Sequence, residues 1–146
     1  MRRFYISSEK FTGSGEIVYN EEGCLVFFDF RGTSVSPAGM VQLVKTVIPV
    51  NINSLELQFQ AFPVLVCIEA EFSVTLEDFK REYPYARNMH ILPEIWDRMS
   101  KTNQVLAWKA AQDYRKYCER NSGWYKPKIA ASWLKAKEYL NDWKKL

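Results

Sequence analysis

The residue types best able to do chemistry are few: one histidine, His90, and three cysteines, Cys24, Cys67 and Cys118. Zinc needs clustered ligands, and no cysteine lies within twenty residues of His90, so a Cys/His zinc site is not expected. A Cys118–His90 nucleophilic pair would need an accessible thiolate. Cys118 instead falls on the apolar side of a helical pattern with Ala107, Ala111 and Tyr114, where a thiol is buried and inert. Glu77, Asp78 and Glu82 could hold magnesium, but their spacing fits the first turn and solvent face of a helix better. Thr12-Gly13-Ser14-Gly15 lacks the Gly-Lys-Ser/Thr ending of a phosphate loop and sits between strand patterns, so it reads as a hairpin turn. No catalytic residue, metal or cofactor is expected. An enzyme whose site makes no recognisable motif is the least favoured alternative.

A basic and aromatic strip near the end of the chain is the remaining candidate. Arg115, Lys116, Arg120, Lys126, Lys128, Lys135, Lys137, Lys144 and Lys145 are interleaved with Tyr114, Tyr117, Trp124, Tyr125, Trp133 and Tyr139. Cations for phosphates and rings for bases are what single-stranded nucleic acid requires. The expected binding residues are Trp124, Tyr125, Lys126, Lys128, Arg120 and Lys116. Trp124 and Tyr125 are the sharpest of these, because they follow Gly123 in a loop and lie off any helical stripe. A competing reading has both rings plugging the corner between two helices.

These residues must be positioned by two unlike halves. In residues 1–75, Phe4, Ile6, Ile17 and Tyr19 alternate with polar neighbours, and Cys24–Phe30 follows a turn at Asn20–Gly23, predicting a three-stranded antiparallel meander. Ser36-Pro37 then starts a helix with Met40, Val41, Val44, Val47 and Ile48 at helical spacing, which Pro49 ends. Residues 52–60 fit helix and strand equally, and 64–72 reads as a further strand. In residues 76–146 the period changes to that of helices. Thr75 caps one that stops at Pro84, Pro93 opens another, Ser100 starts a third that ends at Asn121–Gly123, and Pro127 starts the last. Ile129, Trp133, Ala136, Leu140 and Trp143 form a stripe on that last helix, so Ile129, Trp133, Leu140 and Trp143 are expected to be buried. The fold class is therefore α+β: an N-terminal meander with one helix and a further strand, then a C-terminal bundle of three to four helices. Whether the halves share one core is left open.

The halves also differ in charge. Residues 1–75 carry five basic and eight acidic residues, residues 76–146 fifteen and nine, and the whole chain is +3. Such asymmetry can point to nucleic acid or an acidic partner, although Lys and Arg decorating the solvated faces of helices is the favoured reading. The longest central apolar stretch, Phe62–Ile68, is too short to cross a bilayer, and the N-terminus lacks a secretory apolar region. An odd number of widely spaced cysteines suits reduced, mostly buried thiols, so an intracellular, cytoplasmic protein is expected.

The aromatic anchors of the second half carry a resemblance. Phe79-x-x-x-Tyr83-Pro84, Trp96, Tyr114-x-x-Tyr117, Pro127-x-x-Ala130-x-x-Trp133-Leu134 and Asp142-Trp143 resemble a small helical module at the C-termini of phage and prophage DNA-replication proteins, initiators and helicase loaders among them. The resemblance covers residues 72–146. In that family a more basic stretch than Tyr85-Ala86-Arg87-Asn88 follows the Tyr-Pro, and the module hangs on a DNA-binding or ATPase domain that the acidic first half does not resemble. What it implies is an accessory or adaptor of phage-type DNA replication, bound to a replication protein such as a helicase or initiator, with no activity of its own. Direct binding of DNA through the strip is the alternative.

Overall fold

The computed structural model describes residues 1–70 and 73–146. Glu71 and Phe72, the end of the expected fourth strand, lie outside the described residues. The fold class is α+β, with four antiparallel strands followed by a mostly helical second half. The chain divides into two compact units, Met1–Ser73 with Ser100–Thr102, and Val74–Met99 with Asn103–Leu146.

In the first unit, β1 (Arg2–Ser8), β2 (Phe11–Tyr19) and β3 (Leu25–Asp29) form the expected meander, and β4 (Leu65–Glu69) joins beside β1 to give the order β3-β2-β1-β4. The period-two pattern puts Phe4, Ile6, Ile17 and Tyr19 on one face, where they pack with Phe30, Leu43, Val47, Ile48 and Leu55. The first reversal differs from expectation. Ser8 pairs with Phe11, so the chain turns at Glu9-Lys10, whereas Thr12–Gly15 lies within β2. There the register slips: Ile6 faces Gly15, so two extra residues of β2 are absorbed in a bulge at which Gly13 takes φ +80°. The glycines serve the bulge and leave the turn to other residues.

Ser36 Oγ accepts the Gly39 amide and caps α1 (Pro37–Gln42), as expected. The helix then widens into a π turn, Leu43–Val47, closed by the Ile48 amide donating to the Leu43 carbonyl. The wider turn rotates the apolar face. Leu43, Val47 and Ile48 enter the core while Val41 and Val44, expected to share that face, are exposed. The segment with no clear period folds as a 3-10 turn, Ile52–Ser54, and α2 (Leu55–Ala61), which puts Leu55 into the core.

The second unit holds α3 (Leu76–Glu82), α4 (Leu92–Arg98), most of α5 (Lys101–Arg120) and α6 (Ala130–Lys135). Its core is aromatic: the Trp133 ring lies 5.2 to 6.1 Å from those of Phe79, Tyr83, Tyr114 and Tyr139, and Trp143 stands 4.6 Å from Tyr114. The last helix is shorter than its stripe suggests. Lys137 at φ +54° breaks it, and a 3-10 turn, Glu138–Leu140, replaces the continuation. Burial follows: Trp133 and Trp143 are buried and Ile129 half-buried, but Leu140 is 63% exposed and Tyr139 takes its place inside.

Thr75 caps α3 through a reciprocal pair. Its Oγ1 accepts the Asp78 amide at 3.2 Å, and the Asp78 carboxylate accepts the Thr75 amide at 2.9 Å. The Thr75 amide and hydroxyl both donate to this carboxylate and, with Arg81 nearby, hold the Asp78 carboxyl below its ordinary range. A depressed carboxyl contributes stability that is present above the unfolded value and is lost as pH falls through the folded one. Thr75→Ala, which removes the capping hydroxyl, is expected to cost about 1 kcal/mol at neutral pH. That cost should shrink below about pH 4 as Asp78 protonates; urea unfolding of both proteins at neutral and acid pH tests this.

Candidate interaction surfaces

The expected nucleic-acid strip begins where α5 ends. The Asn121 amide donates to the Tyr117 carbonyl, the Asn121 carbonyl accepts the amides of Trp124 and Tyr125, and its side-chain oxygen accepts the Trp124 indole N–H at 3.2 Å. This knot turns the Trp124 ring outward, 71% exposed. Tyr125 turns inward: its ring meets Tyr117 edge-on at 5.0 Å and its hydroxyl bonds that of Tyr114 at 2.9 Å. The next residues are fixed from both sides. The Lys128 amide donates to the Tyr114 hydroxyl at 2.9 Å, and the Tyr83 hydroxyl donates to the Lys128 carbonyl at 2.6 Å. Burial pushes both phenols well above their ordinary range, so both remain protonated.

The six expected binding residues therefore separate into groups. Trp124, Lys126 and Lys116 are exposed, and among the described residues neither lysine has an ion-pair partner. Lys128 is spent on an ion pair with Glu138, which raises its ammonium above the ordinary value. The Arg120 guanidinium lies over Tyr117, 6.0 Å from its centroid, and points to the carbonyls of Trp143 and Leu146 at 3.5 Å. Tyr125 is half-buried. Of the other rings in the strip, Tyr114, Tyr117, Trp133 and Tyr139 are buried. Trp124 is thus the strip's one open stacking face among the described residues, as its place in the loop after Gly123 suggests, whereas the burial of the other rings depends on tertiary packing.

The nucleophile candidates behave as their positions suggest. Cys118 is buried, and desolvation raises its thiol. Cys67 is pushed up to about 12 by burial and then by Glu69. Of the thiols, expected to be mostly buried, Cys24 is exposed. Among the described residues no three His, Cys, Asp or Glu side chains gather as a metal site, and no helix is long and apolar enough to cross a membrane.

The sequence left the N-terminal half open as a docking surface without singling out residues, and the structure gives it a second candidate surface, on the first unit. The sheet has two outer strands, and they are treated differently. The start of β3 is covered: the Leu25 amide donates to the Val50 carbonyl at 2.8 Å, and Cys24 bridges Asn51. At β4, the Ala70 amide donates to the Arg3 carbonyl, and with Phe4 opposite Glu69 and Ile6 opposite Cys67 the antiparallel alternation aims Val66 and Ile68 at β1. Leu65 and Cys67 consequently direct their carbonyls, and Cys67 its amide, away from the sheet. Beside this edge runs an open groove between β4 and α2. Its floor is Phe4, Leu55, Phe59, Leu65 and Cys67, and its rim is polar, with Arg2 and Glu56 the charged members. One signal was legible: Val64-Leu65-Val66-Cys67-Ile68 contains no charge or proline, so the charge that commonly guards an edge strand stands only at the end of β4, on Glu69.

Comparison with protein-family models, curated proteins and solved structures finds no match to this chain.

Proposed function

We infer that the protein is a non-enzymatic adaptor of phage-type DNA replication that works by holding another protein. The open outer edge of β4 carries this reading, since a strand edge that is unpaired among the described residues and bears its one charge only at its end, on Glu69, is a template for a second chain. Replication as the setting rests on the aromatic resemblance. Its anchors Phe79, Tyr83, Trp96, Tyr114, Tyr117, Ala130, Trp133, Leu134 and Trp143 are all buried, which supports their being a module's core signature and leaves partner choice to other surfaces. Analytical ultracentrifugation of the protein with the replicative helicase and the initiator of its source organism tests the reading. A stoichiometric complex with either is expected; sedimentation as separate species with both would overturn it.

Trp124 favours a second reading, direct binding of single-stranded nucleic acid. If it stacks on a base, Trp124→Ala should weaken binding of labelled single-stranded DNA by about 1 to 3 kcal/mol while leaving the unfolding midpoint nearly unchanged. Affinity should also fall steeply with salt, through Lys126 and Lys116. Fluorescence anisotropy at two salt concentrations measures both effects, and an unaltered affinity in the variant would leave the ring without a role.

A further inference from the structure

We propose that the outer edge of β4 and the groove beside α2 bind an extended, basic segment of a partner protein, which adds to the sheet as a fifth strand. The proposal rests on the adaptor reading and names the chemistry of its partner.

The backbone dictates an extended segment. Once water is displaced from the edge, the outward Cys67 amide and the outward carbonyls of Leu65 and Cys67 are matched together by a strand's alternating donors and acceptors. The covered start of β3 sharpens the point, because the same sheet closes one edge with its own Val50–Asn51 segment and leaves the other accessible, with Val64 and Val66 each 43% exposed.

The groove dictates the side chains. Residues directly opposite one another on neighbouring strands share a face, and Leu65 and Cys67 are packed against the core on the groove side. Every second residue of an added strand would therefore enter the groove over Phe4, Leu55 and Phe59, and these residues should be apolar. Charge then selects the segment further. Arg2 is consumed by a bidentate pair with Glu69, at 2.7 and 2.9 Å, whereas Glu56 is exposed and has no ion-pair partner among the described residues. The rim is left with one uncompensated negative charge, on a half of the chain that is itself net negative. A lysine or arginine in the bound segment meets that charge, while an acidic segment or a nucleic-acid backbone is repelled.

Selection from a phage-displayed library of random decapeptides on the full-length protein tests this. Enriched peptides should alternate apolar residues and carry a Lys or Arg, and binding should slow exchange of the Cys67 amide. Glu56→Lys should weaken them about tenfold. Cys67→Pro, which removes the outward amide and spares the bonds to β1, should abolish binding; if circular dichroism shows it unfolded, Glu56→Lys carries the test. No enriched peptide, or unchanged exchange at Cys67, would overturn the proposal, as would Cys67→Pro blocking self-association, which would make a second copy the occupant. If both variants still join the helicase or initiator complex, the edge fails as the interface and the adaptor reading stands. If the unaltered protein forms no such complex while selected peptides still protect Cys67, the edge holds and the replication partner falls.

Discussion

Trp133→Ala should remove about 3 to 5 kcal/mol of stability, enough to leave a marginal domain of this size largely unfolded. The indole is fully buried and touches rings contributed by α3, α5 and the segments that follow α3 and α6. No single neighbour can move in to fill the space it would vacate, so the cavity term adds in full to the lost transfer energy. Its Nε1 finds no hydrogen-bond acceptor among the described residues. Trp133→Phe, which keeps a ring and removes that unpaired donor, should therefore cost much less. Urea unfolding followed by circular dichroism measures both. Equal losses would mean that the indole is held by a polar contact and that packing is secondary.

Gly13→Ala should cost about 2 to 4 kcal/mol, from a backbone conformation that L-residues resist and from a clash that cannot relax by side-chain rotation. At φ +80° a Cβ on residue 13 would stand 2.1 Å from the Gly32 carbonyl oxygen, which is backbone. Gly32→Ala is the matched control. Its Cβ would meet nothing within 4 Å, so a change within about 0.5 kcal/mol is expected. Thermal unfolding of the pair tests the bulge: similar melting temperatures would show that Gly13 does not need its positive φ.

The contrast between these glycines explains where the sequence could and could not be read. A Gly-rich tetrapeptide between two alternating runs has the composition of a turn, yet the reversal falls at Glu9-Lys10, with the Ser8 hydroxyl accepting the Lys10 amide at 3.1 Å. Composition does not distinguish a residue that reverses the chain from one that absorbs a register slip. The meander, the capped starts of α1 and α3, and the four helices of the second half were legible, because each depends on local spacing and on capping residues whose effects act within one turn. The end of α6 was not. Ala136, Leu140 and Trp143 keep a helical rhythm, but a left-handed Lys137 breaks the helix, and a non-glycine residue in that conformation has no sequence signature. The candidate surfaces were legible in the same uneven way. Exposure of Trp124 followed from its place in a loop after Gly123, whereas the fate of Tyr114 and Tyr117 depended on tertiary packing. The β4 groove was out of reach, since its other wall is α2, the segment whose apolar residues fit two periods at once.

Lys128 is gripped through its peptide groups by the hydroxyls of Tyr83 and Tyr114, and that grip has a mechanical meaning. Tyr83 directly follows α3 and Tyr114 sits in the middle of α5, so a single residue of the connecting segment acts as a rivet through both. Fraying of the crossing between α5 and α6 would strand a buried phenol on each side, at a cost set by unpaired polar groups. The crossing therefore opens only when the helices themselves part, and it inherits their stability although it has no regular structure of its own. Trp124, four residues upstream and free of the rivet, is in consequence a surface ring mounted on a rigid base.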